Sequence, residues 1–287
     1  MEKAILKTLY YADIFDYPLK AYEIHKWLIG RKATLRQVEK AVEKLRVKGK
    51  AERVKDYYFL PRRAELVSKR QRKEKQSASY LQKARILTFI LKVIPWIKLV
   101  GISGGLAMEN TSKADDIDLF IITGKNRLWI SRLFILGLLS LTGQRRKVGQ
   151  KGKQIAGKLC INTLLEEDKL EQGNKDIYLA HEVLQMKVLW VRGGAYSKYL
   201  LDNVWVFKFL PNWIGEKTQN SKRKSQNYNS KFKILDLLEN MAKRFQLKIM
   251  SRPQGLERVE EGALYFHPND CRAAILQEYK SRITSTT

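Results

Sequence analysis

The chain of 287 residues carries 55 lysines and arginines against 29 aspartates and glutamates, a formal net charge of +26. Its length allows two domains, and its hydrophobic content of 44% is typical of a globular protein. The charge favours polyanionic partners such as RNA, DNA or an anionic membrane surface, although a host whose proteins are generally basic would give the same excess.

Membrane-spanning and secreted proteins are the classes that the sequence argues against. No segment reaches the roughly 18 apolar residues of a transmembrane helix, since the longest candidate, 128–141, is short and contains Arg132. The first residues lack a signal-peptide pattern, because they contain acids and no long apolar core. Cys160 and Cys271 lack metal-ligand spacing. We therefore expect a reduced, cytoplasmic protein without a transmembrane segment.

Residues 1–61 are predicted to form a small domain of three helices and a hairpin. The third helix begins after Thr34, a good N-cap, and carries Arg36, Lys40 and Lys44 four residues apart on one face. Periodicity and turn residues give the following elements: helices over 3–14, 21–28 and 35–48, and short strands over 51–54 and 57–60.

Three helices followed by a hairpin resemble winged helix-turn-helix domains, whose third helix enters the DNA major groove. The resemblance implies that Arg36, Lys40 and Lys44 would contact nucleic acid. Winged helices also serve as packing or protein-interaction modules, and Glu39 and Glu43 on the same helix would weaken attraction to phosphate. Both interpretations remain open.

Residues 62–95 are predicted to be a connector that consists mainly of one long helix over 62–93. Its first half is strongly basic, whereas its second half turns apolar and is expected to dock on the following domain. The basic half either follows a nucleic-acid backbone or forms a solvated helical face. Pro95 ends the helix.

Two predicted strands around a glycine turn carry most of the chemistry. The first covers 97–102, and Ser103, Gly104 and Gly105 interrupt it before a short helix over 106–110. The second strand, 117–123, opens with Asp116 and Asp118. Strand residues two apart share a face, which places the two carboxylates about 6–7 Å apart. Two carboxylates so close repel each other unless a cation lies between them. Mg²⁺ suits this position, because it takes one or two carboxylates plus substrate phosphates.

A Gly-Gly turn followed about ten residues later by Asp-Ile-Asp resembles the DNA polymerase beta-like nucleotidyltransferase superfamily. The resemblance covers about 100–165 and implies an α+β domain over 96–213, a mixed sheet with helices that binds an NTP and Mg²⁺. Asp116 and Asp118 would hold the metal, and Ser103, Gly104 and Gly105 the triphosphate. The alternative is that Asp116 and Asp118 are solvated residues at the start of a strand that follows a glycine turn, without a functional role.

The superfamily often supplies a third acidic residue from the next strand, predicted here over 158–165. Alternation places Asn162 at that position, on the face of Cys160. Asparagine can ligate through its carbonyl oxygen but cannot accept a proton at neutral pH, which puts activity in doubt. Three acids just beyond the strand would substitute if the register were shifted, although a strand-to-turn boundary also explains them: Glu166, Glu167 and Asp168.

Two segments between these strands have alternative interpretations. The apolar helix over 128–141 is expected to be buried on nearly all sides, with membrane-surface docking as the runner-up because Arg145, Arg146 and Lys147 follow it. The loop over 143–158, rich in glycine and cations, either reaches phosphates or is a surface hairpin.

The remaining elements are mostly helical. A helix is predicted over 176–190; its His181 precedes Glu182, but no second metal ligand stands at the required spacing, so a hydrogen-bonded structural histidine is favoured. His267 before a proline indicates a turn first and a ligand second. The other elements are a helix over 195–207, a polar linker over 214–230, and a C-terminal region over 231–287 with helices over 232–250 and 271–282 and a short strand over 262–266.

The sequence thus predicts a Mg²⁺-dependent enzyme that transfers a nucleoside monophosphate from an NTP to an acceptor hydroxyl and releases pyrophosphate. The alternative is a catalytically degenerate nucleotidyltransferase fold that acts as a nucleic-acid-binding regulator. Nucleic acid, a small molecule of the antibiotic type, a protein and a lipid-linked group all remain open as acceptors.

Overall fold

A computed structural model describes residues 1–147, 149–150, 152–213, 232–250, 256–267 and 271–284. The linker predicted over 214–230 lies outside the described residues. The described chain is a mixed α+β protein with ten α-helices, a three-stranded sheet and a six-stranded sheet. None of the helices described is both long and apolar enough to cross a membrane.

The N-terminal unit, residues 1–61, contains three helices and the smaller sheet. Its core consists of buried aliphatic side chains from all three helices, among them Ile5, Ile24 and Leu45. The strands lie in the order β1-β3-β2 and are antiparallel. The elements are α1 (Glu2–Asp13), β1 (Leu19–Lys20), α2 (Ala21–Lys26), α3 (Leu35–Val47), β2 (Glu52–Val54) and β3 (Tyr57–Phe59).

The long helix α4 (Glu65–Phe89) and a 3₁₀ turn (Ile90–Val93) follow, as the sequence predicts. The prediction that its whole apolar second half docks was wrong in part. Leu81, Ala84 and Leu91 are buried, but Ile86 and Phe89 are exposed. Only one stripe of a helix faces a neighbour, so apolar residues away from that stripe stay in solvent.

The six-stranded sheet has the order β7-β4-β5-β6-β9-β8. β5 and β6 are parallel and the other neighbours are antiparallel, so the sheet is mixed, as expected. Its strands are β4 (Ile97–Ile102), β5 (Ile117–Thr123), β6 (Leu159–Glu166), β7 (Lys187–Val191), β8 (Leu256–Glu260) and β9 (Ala263–His267).

The helices of this part flank the sheet. Glu239 of the helix Phe232–Met250 accepts hydrogen bonds from two backbone amides in the first turn of the helix Leu128–Leu141, those of Trp129 and Ile130, at 2.7 and 2.9 Å. The expectation that the helix over 128–141 is buried on nearly all sides was wrong, since Phe134 and Leu141 are exposed. The helices are α5 (Gly104–Ala107), α6 (Leu128–Leu141), α7 (Ile177–Gln185), α8 (Ala195–Asp202), α9 (Phe232–Met250) and α10 (Arg272–Thr284).

The helix predicted over 176–190 is too long. It ends at Gln185, and the apolar run that follows forms β7, an edge strand antiparallel to β4. β-Branched and aromatic residues fit a strand as well as a helix, and pairing with β4 decides between them. Similarly, the helix predicted over 195–207 divides into α8 and a 3₁₀ turn (Val204–Lys208) around the buried Asn203.

The N-terminal unit packs directly on the helices that flank the larger sheet. Tyr11 and Trp27 belong to one hydrophobic core with residues of α7, α8 and α10. The Tyr17 hydroxyl donates to the Met108 carbonyl at 2.8 Å, and Gly30 N–H donates to the Phe209 carbonyl at 2.7 Å. Tyr11, Tyr17 and Trp27 line one cavity together with Asp116 and Asp118.

Candidate functional site

The carboxylates of Asp116 and Asp118 lie together at the start of β5. In the parallel β5–β6 register Asp118 lies opposite Cys160, and ligand atoms of Asp116, Asp118 and Cys160 lie within 4.8 Å of one another. Leu119 pairs with Ile161 but Phe120 pairs with Thr163, so Asn162 is the extra residue of a bulge. Cys160 therefore occupies the position directly opposite Asp118, and Asn162 donates a side-chain hydrogen bond to the Asp118 carboxylate.

The glycine turn after β4 lies against the same carboxylates. Gly104 has φ +63°, and a Cβ at this position would lie 3.0 Å from Oδ2 of Asp118. Both the left-handed backbone and the close approach therefore require glycine at this position. Ser103 is different: its buried hydroxyl lines another cavity, beside Phe120 and Thr163. The structure thus brings Gly104 and Gly105, but not the Ser103 hydroxyl, to the carboxylate pair.

A cavity of 320 Å³ connects the carboxylates, the glycine turn and the N-terminal unit. Its polar lining comes from the glycine turn and the segment after α5, from β5, β6 and α7, and from the loop after α6. Its apolar lining comes mainly from α1, the loop after it, β1 and Trp27, the residue after α2. The polar group comprises Gly104, Gly105, Asn110, Asp116, Asp118, Arg146, Asn162, His181, Glu182 and Gln185.

Arg146 brings the loop predicted over 143–158 to this site. Its guanidinium lies 2.5 Å from Oδ2 of Asp116. Residues 148 and 151 of this loop lie outside the described part of the chain. One described side chain of the loop thus reaches the carboxylates, whereas contact of the loop with phosphates stays a prediction.

Burial dominates the electrostatics of the pair. Burial and the neighbouring Asp116 raise the pKa of Asp118 to about 7. The hydrogen bond from Asn162 and the charge of Arg146 lower this pKa but do not cancel the increase. Burial, Asp118 and Asp116 raise the pKa of the Cys160 thiol to about 12. The thiol is thus protonated at neutral pH without a cation, and the carboxylates are the oxygen donors that a hard divalent ion prefers.

Glu182 on α7 is the acid that the sequence analysis did not assign to the site. It lines the cavity, and its carboxylate accepts hydrogen bonds from the Gly104 backbone N–H and the Gln185 side chain. Burial raises its pKa to about 7 in spite of these bonds. Its neighbour His181 was noticed in the sequence, but no spacing rule connects α7 to a glycine turn some eighty residues earlier.

His181 is buried and stacked on Tyr11, with ring centroids 4.4 Å apart. Burial lowers its pKa to about 3, so the imidazole is neutral. Its Nε2 has no hydrogen-bond partner among the described residues, unlike the hydrogen-bonded histidine that the sequence favours. Among those residues, the group of possible metal ligands comprises Asp116, Asp118 and Cys160, without His181.

The acids at and just after the end of β6 do not join the site. Thr123, at the end of β5, pairs with Glu166, whereas Asp118 pairs with Cys160 near its start. Asp168 lies 3.3 Å from Lys125 in a surface ion pair. Glu166, Glu167 and Asp168 therefore lie at the opposite end of these strands. The side chain of His267 lies outside what the structure describes.

The basic residues of α3 lie on another surface. Arg36, Lys40 and Lys44 are exposed. Lys40 and Lys44 line a shallow depression with Lys3 and Arg31, and none of these residues lines the carboxylate cavity.

No family model and no curated protein matches this chain.

Proposed function

We propose that the protein is a Mg²⁺-dependent nucleotidyltransferase that moves a nucleoside monophosphate from an NTP to an acceptor hydroxyl. One observation carries the proposal: Gly104, in a left-handed conformation, lies against Asp118 beside Asp116, and all three line one cavity. A close backbone approach next to paired carboxylates suits a phosphate chain that reaches a shared metal ion.

The donor set fits Mg²⁺. Asp116 and Asp118 offer two oxygen ligands, and because burial and then the charge of Asp116 raise the pKa of Asp118, a cation here would stabilise its ionised form. Bound Mg²⁺ would neutralise the triphosphate and orient attack on it. The thiol of Cys160 is a poor ligand for so hard an ion, and Asn162 orients Asp118 through its hydrogen bond.

Glu182 is the proposed proton acceptor. The acceptor oxygen would attack the α-phosphorus, the bond to the pyrophosphate oxygen would break, and the hydroxyl proton would pass to the Glu182 carboxylate. A base with a pKa of about 7 is suited to neutral pH. This role fills the place of the third carboxylate that β6 does not supply.

The two fold assignments belong to the same proposal. The mixed sheet with its glycine turn supports a polymerase-beta-like domain, and the three helices with their small antiparallel sheet support a winged-helix-like domain in front of it. Two free cysteines are consistent with a reducing, cytoplasmic setting.

The test is calorimetry with each NTP and Mg²⁺, followed by pyrophosphate release with and without bulk RNA. We expect the wild type to bind at least one NTP in a Mg²⁺-dependent manner, and the Asp116→Ala/Asp118→Ala variant to lose this binding. Asp168→Ala is the matched control, since this acid lies away from the site. Absence of Mg²⁺-dependent NTP binding in the wild type would overturn the proposal.

A second candidate is a degenerate transferase that regulates through nucleic-acid binding. The exposed Arg36, Lys40 and Lys44 on α3 favour it, as does a thiol opposite Asp118. It predicts RNA or DNA binding that falls when these three residues become alanine, with a salt dependence reduced by about 0.9 per lost phosphate contact. It also predicts no pyrophosphate release by the wild type.

A further inference from the structure

The cavity at the carboxylate pair has a second end, which the N-terminal unit builds. The proposed nucleotide and metal chemistry uses no residue there. This end is lined by aromatic and apolar side chains: Tyr11, Ala12, Phe15, Tyr17, Leu19 and Trp27. An apolar wall opposite a few polar groups is the usual composition of a small-molecule site.

Three side chains of the cavity hold buried polar atoms without a hydrogen-bond partner among the described residues. These atoms are Oδ1 of Asn110, Oδ1 of Asn162 and Nε2 of His181. Asn162 and His181 are each only 7% exposed. An unpaired buried polar atom is unfavourable, so a ligand with matching groups would gain stability by pairing with these three atoms.

The side-chain amide nitrogens of the two asparagines already donate hydrogen bonds within the protein. Nδ2 of Asn110 donates to the Phe15 carbonyl at 2.9 Å, and Asn162 donates to the Asp118 carboxylate. The free atoms are therefore carbonyl oxygens, which need donors. The carboxylate of Glu182 adds another acceptor to the same cavity. A matching ligand carries several O–H or N–H groups.

The charge of this cavity argues against a polyanionic acceptor in addition to the triphosphate. The lining contains the carboxylates of Asp116, Asp118 and Glu182, with Arg146 as the cation. Magnesium would compensate the aspartates, and Glu182 is about half protonated near pH 7. Little net charge then remains for a charged ligand to neutralise. The basic residues Lys40 and Lys44, which suit nucleic acid, lie outside this lining.

We propose that this end binds the acceptor of the transfer, and that the acceptor is a small uncharged polyol with a compact ring rather than a nucleic acid. The apolar face of the ring would pack on the aromatic wall while its hydroxyl groups donate to Asn110, Asn162 and Glu182. The volume of 320 Å³ lies within the range of small-molecule sites. The role of this ligand as acceptor rests on the proposed transferase function, but the preference of the cavity for an uncharged polyol does not.

Saturation-transfer NMR on the full chain tests the preference with three probes that share a six-membered ring: methyl glucoside, glucosamine and glucuronate. We expect binding of methyl glucoside to exceed that of both charged rings, with Mg²⁺ and a non-hydrolysable ATP analogue present. Equal binding of the three, stronger binding of either charged ring, or no binding of any would overturn the inference.

Two variants locate the binding. His181→Phe keeps a ring stacked on Tyr11 but removes the unpaired nitrogen, and should weaken methyl glucoside binding about three- to tenfold, as for one lost hydrogen bond. Ala12→Leu fills the apolar end and should abolish the signal. Lys40→Ala is the control outside the cavity. Binding unchanged in both cavity variants, each checked for folding by urea unfolding, would contradict the placement.

The same samples separate this inference from the proposed function. NTP binding without methyl glucoside binding retains the transferase proposal and overturns the acceptor class. Methyl glucoside binding that Ala12→Leu abolishes, in a protein that binds no NTP, supports the polyol site and overturns the transferase proposal.

Discussion

The guanidinium of Arg146 lies 2.5 Å from the carboxylate of Asp116, at the end of the carboxylate pair where a divalent cation is proposed. Both side chains are largely buried, with 20% and 14% exposed. The loop after α6 thus supplies a cation to a site whose second carboxylate, that of Asp118, disfavours additional negative charge. A divalent cation bound by Asp116 would compete with the arginine for the same oxygen, and this competition can be measured.

Arg146→Ala should tighten binding of Mn²⁺, used in place of Mg²⁺, in the absence of nucleotide. Removal of a competing charge worth about 1 kcal/mol corresponds to roughly a three- to tenfold gain in affinity. Electron paramagnetic resonance of free Mn²⁺ measures it. Arg146→Lys, which retains the charge, is the matched control and should change affinity less. Weaker Mn²⁺ binding by Arg146→Ala would show that the arginine does not compete with the ion.

Cys160→Asp should increase Mg²⁺ affinity by about tenfold or more, because a third hard oxygen ligand joins Asp116 and Asp118 at the position opposite Asp118. Cys160→Ser, similar in size but neutral, separates the effect of charge from that of volume. Calorimetry with Mg²⁺ and the NTP that binds best gives the values. Equal affinity for the aspartate and serine variants would mean that this side chain does not face the ion.

Glu182→Gln should lower the rate of transfer by about 10²–10⁴-fold, the usual contribution of a general base. In the wild type the rate should rise with pH through about 7, where Glu182 ionises, and the variant should lack this rise. Pyrophosphate release between pH 5.5 and 8.5 measures both. Gln185→Ala, which removes a hydrogen bond to Glu182 but retains the carboxylate, should keep the pH-dependent rise at a shifted midpoint.

Glu182→Gln should also change how the free energy of unfolding depends on pH. The folded-state pKa of Glu182 is raised from 4.5 to about 7, so its contribution to stability is present below pH 4.5 and is lost as pH rises through 7. Glu182→Gln should therefore be more stable than the wild type at pH 8, by up to about 3 kcal/mol, and this advantage should vanish near pH 4. Urea unfolding at the two pH values checks it, and a pH-independent difference would place the pKa elsewhere.

Local patterns predicted the β4–turn–β5 unit well, because its information is contained within 97–123: an apolar strand, a glycine turn and alternating aspartates. The neighbours of the pair were not predictable in this way. The bulge at Asn162 is a property of β5–β6 pairing, and it places Cys160 opposite Asp118. Glu182 reaches the glycine turn through tertiary packing of α7, which no local pattern contains.

The burial of Arg70 in the connector was also not predictable from local sequence. A basic run predicts a solvated surface, and yet this side chain is only 3% exposed. Its guanidinium lies 2.6 Å from Glu23 and 2.9 Å from Glu74, and its centre lies 3.9 Å from the centroid of the Tyr17 ring. Tyr17 lines the proposed acceptor end of the cavity. Arg70 therefore packs against and supports Tyr17, one side chain of that wall.

Arg70→Ala should destabilise the protein by about 3–5 kcal/mol, because it leaves Glu23 buried without its cation. Arg53→Ala is the matched control: this arginine makes ion pairs at the exposed surface, and its loss should cost about 0.5 kcal/mol or less. Urea unfolding of the three proteins gives the free energies. Arg70→Ala/Glu23→Gln should recover part of the loss, since the second substitution removes the unpaired charge. A loss below about 1 kcal/mol for Arg70→Ala would mean that solvent reaches Glu23 and that the connector does not stabilise the cavity wall.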